Sequence, residues 1–99
     1  MPPALSLEEA VRLALADAAD AAGHGGPPPQ LLSAESVTWP NGALGCEQEG
    51  RAYTMALVPG YLIRVSCGEQ VLHYHAARRG RPFLCPADRA RPPIRDERF

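Results

Sequence analysis

His73 and His75 stand two residues apart, and Cys46, Cys67 and Cys85 are spread over the second half of the 99-residue chain. On a strand, side chains two apart point the same way. Both imidazoles could therefore reach one metal ion, with a cysteine or His24 as third ligand. A hairpin turning at Gly68-Glu69 sets Arg64 directly opposite His73, and a fixed cation there repels a divalent metal, so the pair is only a weak metal candidate. No C-x-x-C occurs, which leaves a structural zinc site or a thioredoxin-like motif without support. Two states stay open for the cysteines. A Cys46–Cys85 bond would close a loop of about 40 residues and stabilise the fold by about 4 kcal/mol in the chain-entropy account. In a reducing cytoplasm the same residues stay thiols. Cys67, at a strand end beside a turn, reads as an unpaired thiol.

Catalytic constellations are hard to assemble. Cys67 or Cys85 with His73 or His75 would make a nucleophile–base pair, but no third orienting group is indicated, and Cys67 falls on the other hairpin face from both histidines. Gly23-His24-Gly25-Gly26 runs into prolines rather than into a helix, so it makes no phosphate cradle. Glu47 and Glu49 sit in a Gly-bounded loop as solvated charges. The expectation is a protein that is not an enzyme and carries no cofactor.

The elements that must position these residues are legible. Residues 6–22 predict a helix: Ser6 as N-cap with Glu9 three residues on forms a capping box. Leu7, Val11, Ala14, Leu15, Ala18 and Ala22 recur at helical spacing. Gly23 ends it, and a Gly/Pro linker spans 23–30. Short β segments follow over 31–85: Ala34–Trp39, Arg51–Val58, Tyr61–Cys67, Gln70–Ala76 and an edge strand Pro82–Cys85. Asn41-Gly42 reads as a turn, Pro59-Gly60 as a type II turn and Gly68-Glu69 as a type II′ hairpin loop. Residues 86–99 read as a disordered Arg/Pro-rich tail after a single domain over 1–85. The fold class is α+β, one N-terminal helix packed on a three- to five-stranded, mainly antiparallel sheet.

A Gly68-Glu69 loop pairs Cys67 with Gln70, Val65 with Leu72, Ile63 with Tyr74 and Tyr61 with Ala76. Tyr61, Ile63, Val65, Leu72 and Tyr74 then share the face that meets the helix. Leu62, Arg64, His73 and His75 take the other face, and a tight Pro59-Gly60 turn adds Tyr53, Met55 and Leu57. These seven residues form a half-apolar surface with no helix left to cover it, so they are the candidate partner-binding set. The loop around Trp39, a second copy of the chain or another protein would cover it.

Composition bounds the rest. The 45% hydrophobic and 21% charged content suits one small globular domain. All ten basic residues are arginine. Residues 1–50 hold seven acidic side chains against Arg12, while residues 76–99 hold seven arginines against Asp88, Asp96 and Glu97. No aromatic residues interleave with Arg78, Arg79 and Arg81 to stack bases, which argues against nucleic acid. No apolar run is long enough for a membrane span, and Glu8, Glu9, Arg12 and Asp17 interrupt any signal-like segment. The sequence as written predicts a cytoplasmic protein, with an exported mature domain as the alternative.

The order Thr38-Trp39-Pro40-Asn41-Gly42-Ala43-Leu44-Gly45-Cys46, Tyr53-Thr54, Val58-Pro59-Gly60-Tyr61, Tyr74-His75 and Phe83-Leu84-Cys85 resembles a family of small uncharacterised bacterial proteins of actinobacterial type. Its pattern is T-W-P-x-G-x-L-G-C, P-G-Y, Y-H and a late F-L-C, over about residues 5–86. Asn41 stands where the family has aspartate, Glu47 and Glu49 where it has prolines, Met55 where it has glutamine, and Leu72-His73 where it tends to have Tyr-Glu. The resemblance implies the fold and a Cys46–Cys85 contact, and it implies no activity. The functional expectation is a small non-catalytic protein-binding or accessory module, self-associating or taking an unknown protein partner. The alternatives are a metal-responsive domain using His73 and His75, and an exported disulfide-stapled inhibitor-like domain presenting the Cys46–Gly50 loop.

Overall fold

Helix α1 (Leu7–Ala22) begins where Ser6 and Glu9 exchange hydrogen bonds: Ser6 Oγ accepts from the Glu9 N–H at 3.1 Å, and Glu9 Oε1 accepts from the Ser6 N–H at 2.8 Å. The bond from the Ser6 backbone holds the Glu9 carboxyl below its ordinary value. Gly23 closes the helix at φ +74, a left-handed geometry that suits glycine, and donates its N–H to the Ala19 carbonyl. In this computed structural model, which describes residues 4–23 and 26–94, the helix buries Ala10, Ala14 and Ala18 completely. Leu7, Val11 and Leu15 pack beside them, whereas Ala22 is exposed. Small side chains along that stripe let the helix axis approach the sheet closely.

Four antiparallel strands form one sheet in the order β1 (Gln30–Trp39), β2 (Val58–Cys67), β3 (Gln70–Ala77) and β4 (Phe83–Cys85). The β2–β3 register pairs Cys67 with Gln70, Val65 with Leu72, Ile63 with Tyr74 and Tyr61 with Ala76, as the two-residue loop requires. Gly68 sits at φ +65, the positive angle such a loop needs at its first position. Tyr61, Ile63, Val65, Tyr74 and Ala76 form the core with the alanine stripe. Each large apolar member contributes about 1.5–3 kcal/mol on burial.

Both core tyrosines end in a satisfied hydroxyl. Tyr61 donates to the Leu5 carbonyl at 2.6 Å, and Tyr74 donates to Asp17 Oδ2 at 2.7 Å, which ties the sheet to the helix. Burial, with the Asp17 carboxylate beside it, pushes the Tyr74 phenol well above its ordinary value. Tyr74→Phe is expected to lower stability by about 1 kcal/mol, since the bond to a charged group is lost while exposed Asp17 regains water. A urea denaturation midpoint at neutral pH measures it.

The structure departs from the sequence expectation in four places. Arg51–Leu57 forms no strand. Pro59 and Gly60 lie inside β2 instead of making a turn. The reason lies in their neighbours. Arg78 donates its N–H to the Pro59 carbonyl, and Leu5 supplies to the Arg78 carbonyl the N–H that proline lacks. Third, β1 starts at Gln30, before the predicted Ala34, and takes up a bulge at Leu32, because Leu31 pairs with Val65 but Ser33 pairs with Arg64. Finally, residues 86–94 make a turn and two isolated bridges, Cys46 with Ala90 and Thr38 with Ile94. Residues 95–99 of the expected tail, and His24 and Gly25 of the linker, lie outside the described residues.

Candidate binding groove on the second sheet face

The sheet face turned away from α1 is built around Trp39, which has no exposed surface. Trp39 ends β1, and Pro40 stops the strand there. Its indole Nε1 donates to the Ala76 carbonyl at 3.0 Å, passing directly over Gly60. A Cβ at Gly60 would strike that carbonyl and stand 2.8 Å from Nε1, so only glycine fits. Asn41 then starts the return: its Oδ1 accepts from the Ala43 N–H at 2.9 Å, as an Asx turn does. Leu44 (φ +56) and Gly45 (φ +75) are both left-handed and swing the chain back across the indole. A Cβ on Gly45 would collide with the Trp39 ring and lie 2.8 Å from the Arg91 carbonyl.

His75 is buried beneath this cover, 1% exposed, with its ring stacked on Trp39 at 4.6 Å between centroids. Its Nδ1 lies 2.7 Å from the Leu44 carbonyl, which can only accept, so Nδ1 carries the proton. Burial pushes the imidazole below its ordinary 6.5, His73 and Arg64 push the same way, and the Leu44 carbonyl opposes them. The folded protein therefore resists a proton that the unfolded chain takes up near 6.5. Stability is expected to fall as pH drops below about 6.5, by at most about 1.4 kcal/mol per pH unit for one proton. Unfolding free energies at pH 7.5, 6.5 and 5.5 check this, and His75→Gln removes the His75 share of the slope.

The cover is locked in place. Cys46 and Cys85 form a disulfide with their Cα atoms 5.9 Å apart, joining the turn to β4. Beyond Cys85 the chain doubles back, with the Arg91 N–H on the Gly45 carbonyl at 2.8 Å and the Ile94 N–H on the Thr38 carbonyl at 2.9 Å. Cys67 is unpaired and half-buried.

This arrangement leaves a groove of about 570 Å³ between the open part of the face and residues 92–94. Val37, Pro59 and Leu62 give it apolar lining, Arg64 and Arg78 bring two guanidinium groups, and Glu35 a carboxylate; Pro92, Pro93 and Ile94 line it from the C-terminal segment. Arg64 is steadied by Ser33, whose Oγ accepts from Nη1 at 3.3 Å. The groove runs beside the outer edge of β1, where the Ile94 N–H already finds a carbonyl.

The seven residues expected to share one surface are separated by the structure. Leu62 and Arg64 line the groove, and half-buried His73 pairs with Arg64 across the β2–β3 ladder. His75 is sealed under Trp39. Tyr53, Met55 and Leu57 belong to the loop between Cys46 and β2, because no turn at Pro59-Gly60 folds them back onto the sheet. Tyr53 is half-buried, its hydroxyl accepting from the Gln48 N–H at 2.9 Å, while Met55 and Leu57 are 83% and 62% exposed. Among the described residues no group of three or more His, Cys, Asp or Glu is placed to hold a metal ion. Of the groove lining, the sequence identifies only Leu62 and Arg64; residues 35–38, Pro59, Arg78 and 92–94 are missed, Glu35 and Val37 first among them. Alternation through Glu35, Val37 and Trp39 carries the signal for the first two; that for 92–94 is a tertiary contact with no local pattern.

Among the described residues no helix is long and apolar enough to cross a membrane. Neither the curated proteins nor the solved structures contain a match to this chain. Residues 11–85, from the first turns of α1 to the disulfide cysteine of β4, match the family described as Domain of unknown function (DUF8738). That match spans most of the helix and the whole sheet, and the chain belongs to this family.

Proposed function

We propose that this domain is a non-catalytic binding module that takes an extended, acidic polypeptide segment in the groove beside β1. The observation that carries the reading is the lining: an apolar strip of Val37, Pro59 and Leu62 next to the guanidinium groups of Arg64 and Arg78, along a sheet edge. Apolar contact supplies affinity, the arginines select carboxylates, and an edge strand offers main-chain hydrogen bonds to an added strand. The disulfide supports work in an oxidising compartment. Selection of peptides from a random display library tests the reading. Binders enriched in Asp and Glu, weakened at least tenfold by R64E/R78E and by added salt, are expected; enriched peptides indifferent to both would overturn it. If light scattering shows the mass rising with concentration, and R64E/R78E abolishes the rise, the occupant is a second copy.

A second reading rests on a different observation. Met55 and Leu57 stand exposed on a loop that starts at the disulfide-anchored Cys46, the arrangement of an inhibitor-like domain. M55A/L57A separates the two readings, because it leaves peptide binding in the groove unchanged.

A further inference from the structure

The Cys46–Cys85 bond is chemically lopsided. On the Cys46 side, Arg89 reaches in from the turn after β4, with Nη2 3.9 Å from Sγ. The Nε of the same guanidinium is buried and has no hydrogen-bond partner among the described residues. On the Cys85 side, Sγ lies 3.7 Å from the Pro86 carbonyl oxygen, a group that can only accept. A disulfide sulfur is neutral and a poor acceptor, so in the oxidised protein it offers this partly buried guanidinium only a weak contact. Reduction reverses that. A Cys46 thiolate would take charge-assisted hydrogen bonds from Arg89, while Cys85 would stay a thiol donating to Pro86.

We propose that Cys46–Cys85 is a thiol–disulfide exchange site for small thiols and dithiols, with Arg89 the positioning residue that stabilises Cys46 as the thiolate of the reduced form. With a dithiol, one reagent thiolate attacks Cys85 Sγ, the protein S–S bond breaks, and Cys46 leaves as a thiolate against Arg89. The second reagent sulfur, deprotonated, attacks the reagent sulfur of the mixed disulfide, and Cys85 departs and takes a proton. The reagent ends as its cyclic disulfide, two electrons pass to the protein, and of the two reagent protons one rests on Cys85 and one enters solvent. Cys46 and Cys85 are only 6% and 1% exposed, so the reagent enters on a local opening, and Arg89 holds the Cys46 thiolate once residues 86–94 have settled back on the reduced protein. The other charged groups near this site are Glu47, Glu49, Asp88 and Arg91, which line with Arg89 a hollow of about 270 Å³. Glu47 is engaged by Asn41 Nδ2 at 3.3 Å. On the β3 side, His73 pairs with Cys85 across the ladder.

The test uses the full chain carrying Cys67→Ser, equilibrated with reduced and oxidised dithiothreitol and read by alkylation and mass spectrometry. Arg89→Met is expected to make the bond at least tenfold harder to reduce, ~30 mV for two electrons. Thiolate absorbance in the reduced protein should show one thiol ionising below the ordinary value of about 8.5, returning to it in Arg89→Met and staying low in Arg89→Lys. An unchanged exchange equilibrium in Arg89→Met overturns the proposal. Should that variant fail to fold, the parent titration decides: two thiols both ionising in the ordinary range overturn it as well.

Discussion

Trp39→Ala is expected to cost about 3–5 kcal/mol, the range for emptying a fully buried aromatic site. Removing the indole strips the stack from His75, the hydrogen bond from the Ala76 carbonyl and the surface against which Gly45 turns. A domain of this size has about 5–15 kcal/mol in all. With roughly 4–8 °C lost per kcal/mol, the thermal midpoint should fall by at least about 12 °C. Far-UV circular dichroism is the readout, because the only tryptophan is the residue removed. Trp39→Phe, which keeps a ring against His75 but loses Nε1, should lie between the two. Gly60→Ala should also destabilise strongly, although it adds a methyl group, because that group meets the Ala76 carbonyl. If Trp39→Ala shifted the midpoint by only a degree or two, the second face would have no true core.

The second large effect concerns the disulfide. C46S/C85S should lower stability by about 4 kcal/mol, the chain-entropy value for a 39-residue separation. Urea unfolding gives the number, with Cys67→Ser as the parent so that no free thiol confuses the comparison. The bond does more than shorten the unfolded chain, since it clamps the turn that covers Trp39 and His75 and anchors residues 86–94. Chemical reduction is expected to cost less than the double serine substitution. Only the reduced protein can place a thiolate beside Arg89.

Much of this architecture is legible in the sequence. Ser6 and Glu9 announced the helix start, and Gly68-Glu69 set the hairpin register that places Ile63, Val65 and Tyr74 against the helix. Both depend on local chemistry alone. The failure at Pro59-Gly60 is instructive. The dipeptide fits a turn by local preference, yet Gly60 is glycine because an indole passes over it, and Pro59 is tolerated because Leu5 satisfies Arg78. Those reasons connect residues that lie far apart in sequence. Tyr53, Met55 and Leu57 stay off the sheet for the same reason, since only a turn at Pro59-Gly60 would fold them back onto it.

The site was legible only in part for the same reason. Leu62 and Arg64 come from the hairpin register, so alternation found them. His75 obeyed the alternation too, but its face is roofed by the chain's own turn, and two left-handed residues at Leu44 and Gly45 are not visible as a roof in sequence. Residues 86–94 carry arginine and proline in the proportions of a solvated tail. What orders them is the disulfide and two backbone hydrogen bonds to Gly45 and Thr38. The family match ends at Cys85, so the segment that walls the groove and carries Arg89 lies beyond it.

The groove is tested most directly by a chemical-shift map. Isotope-labelled protein is titrated with the tightest acidic peptide from the display selection. Shifts clustered at Val37, Leu62, Arg64 and Arg78, and abolished by R64E/R78E, are the predicted result. Shifts confined to the loop of Met55 and Leu57, with the groove residues unmoved, would contradict it.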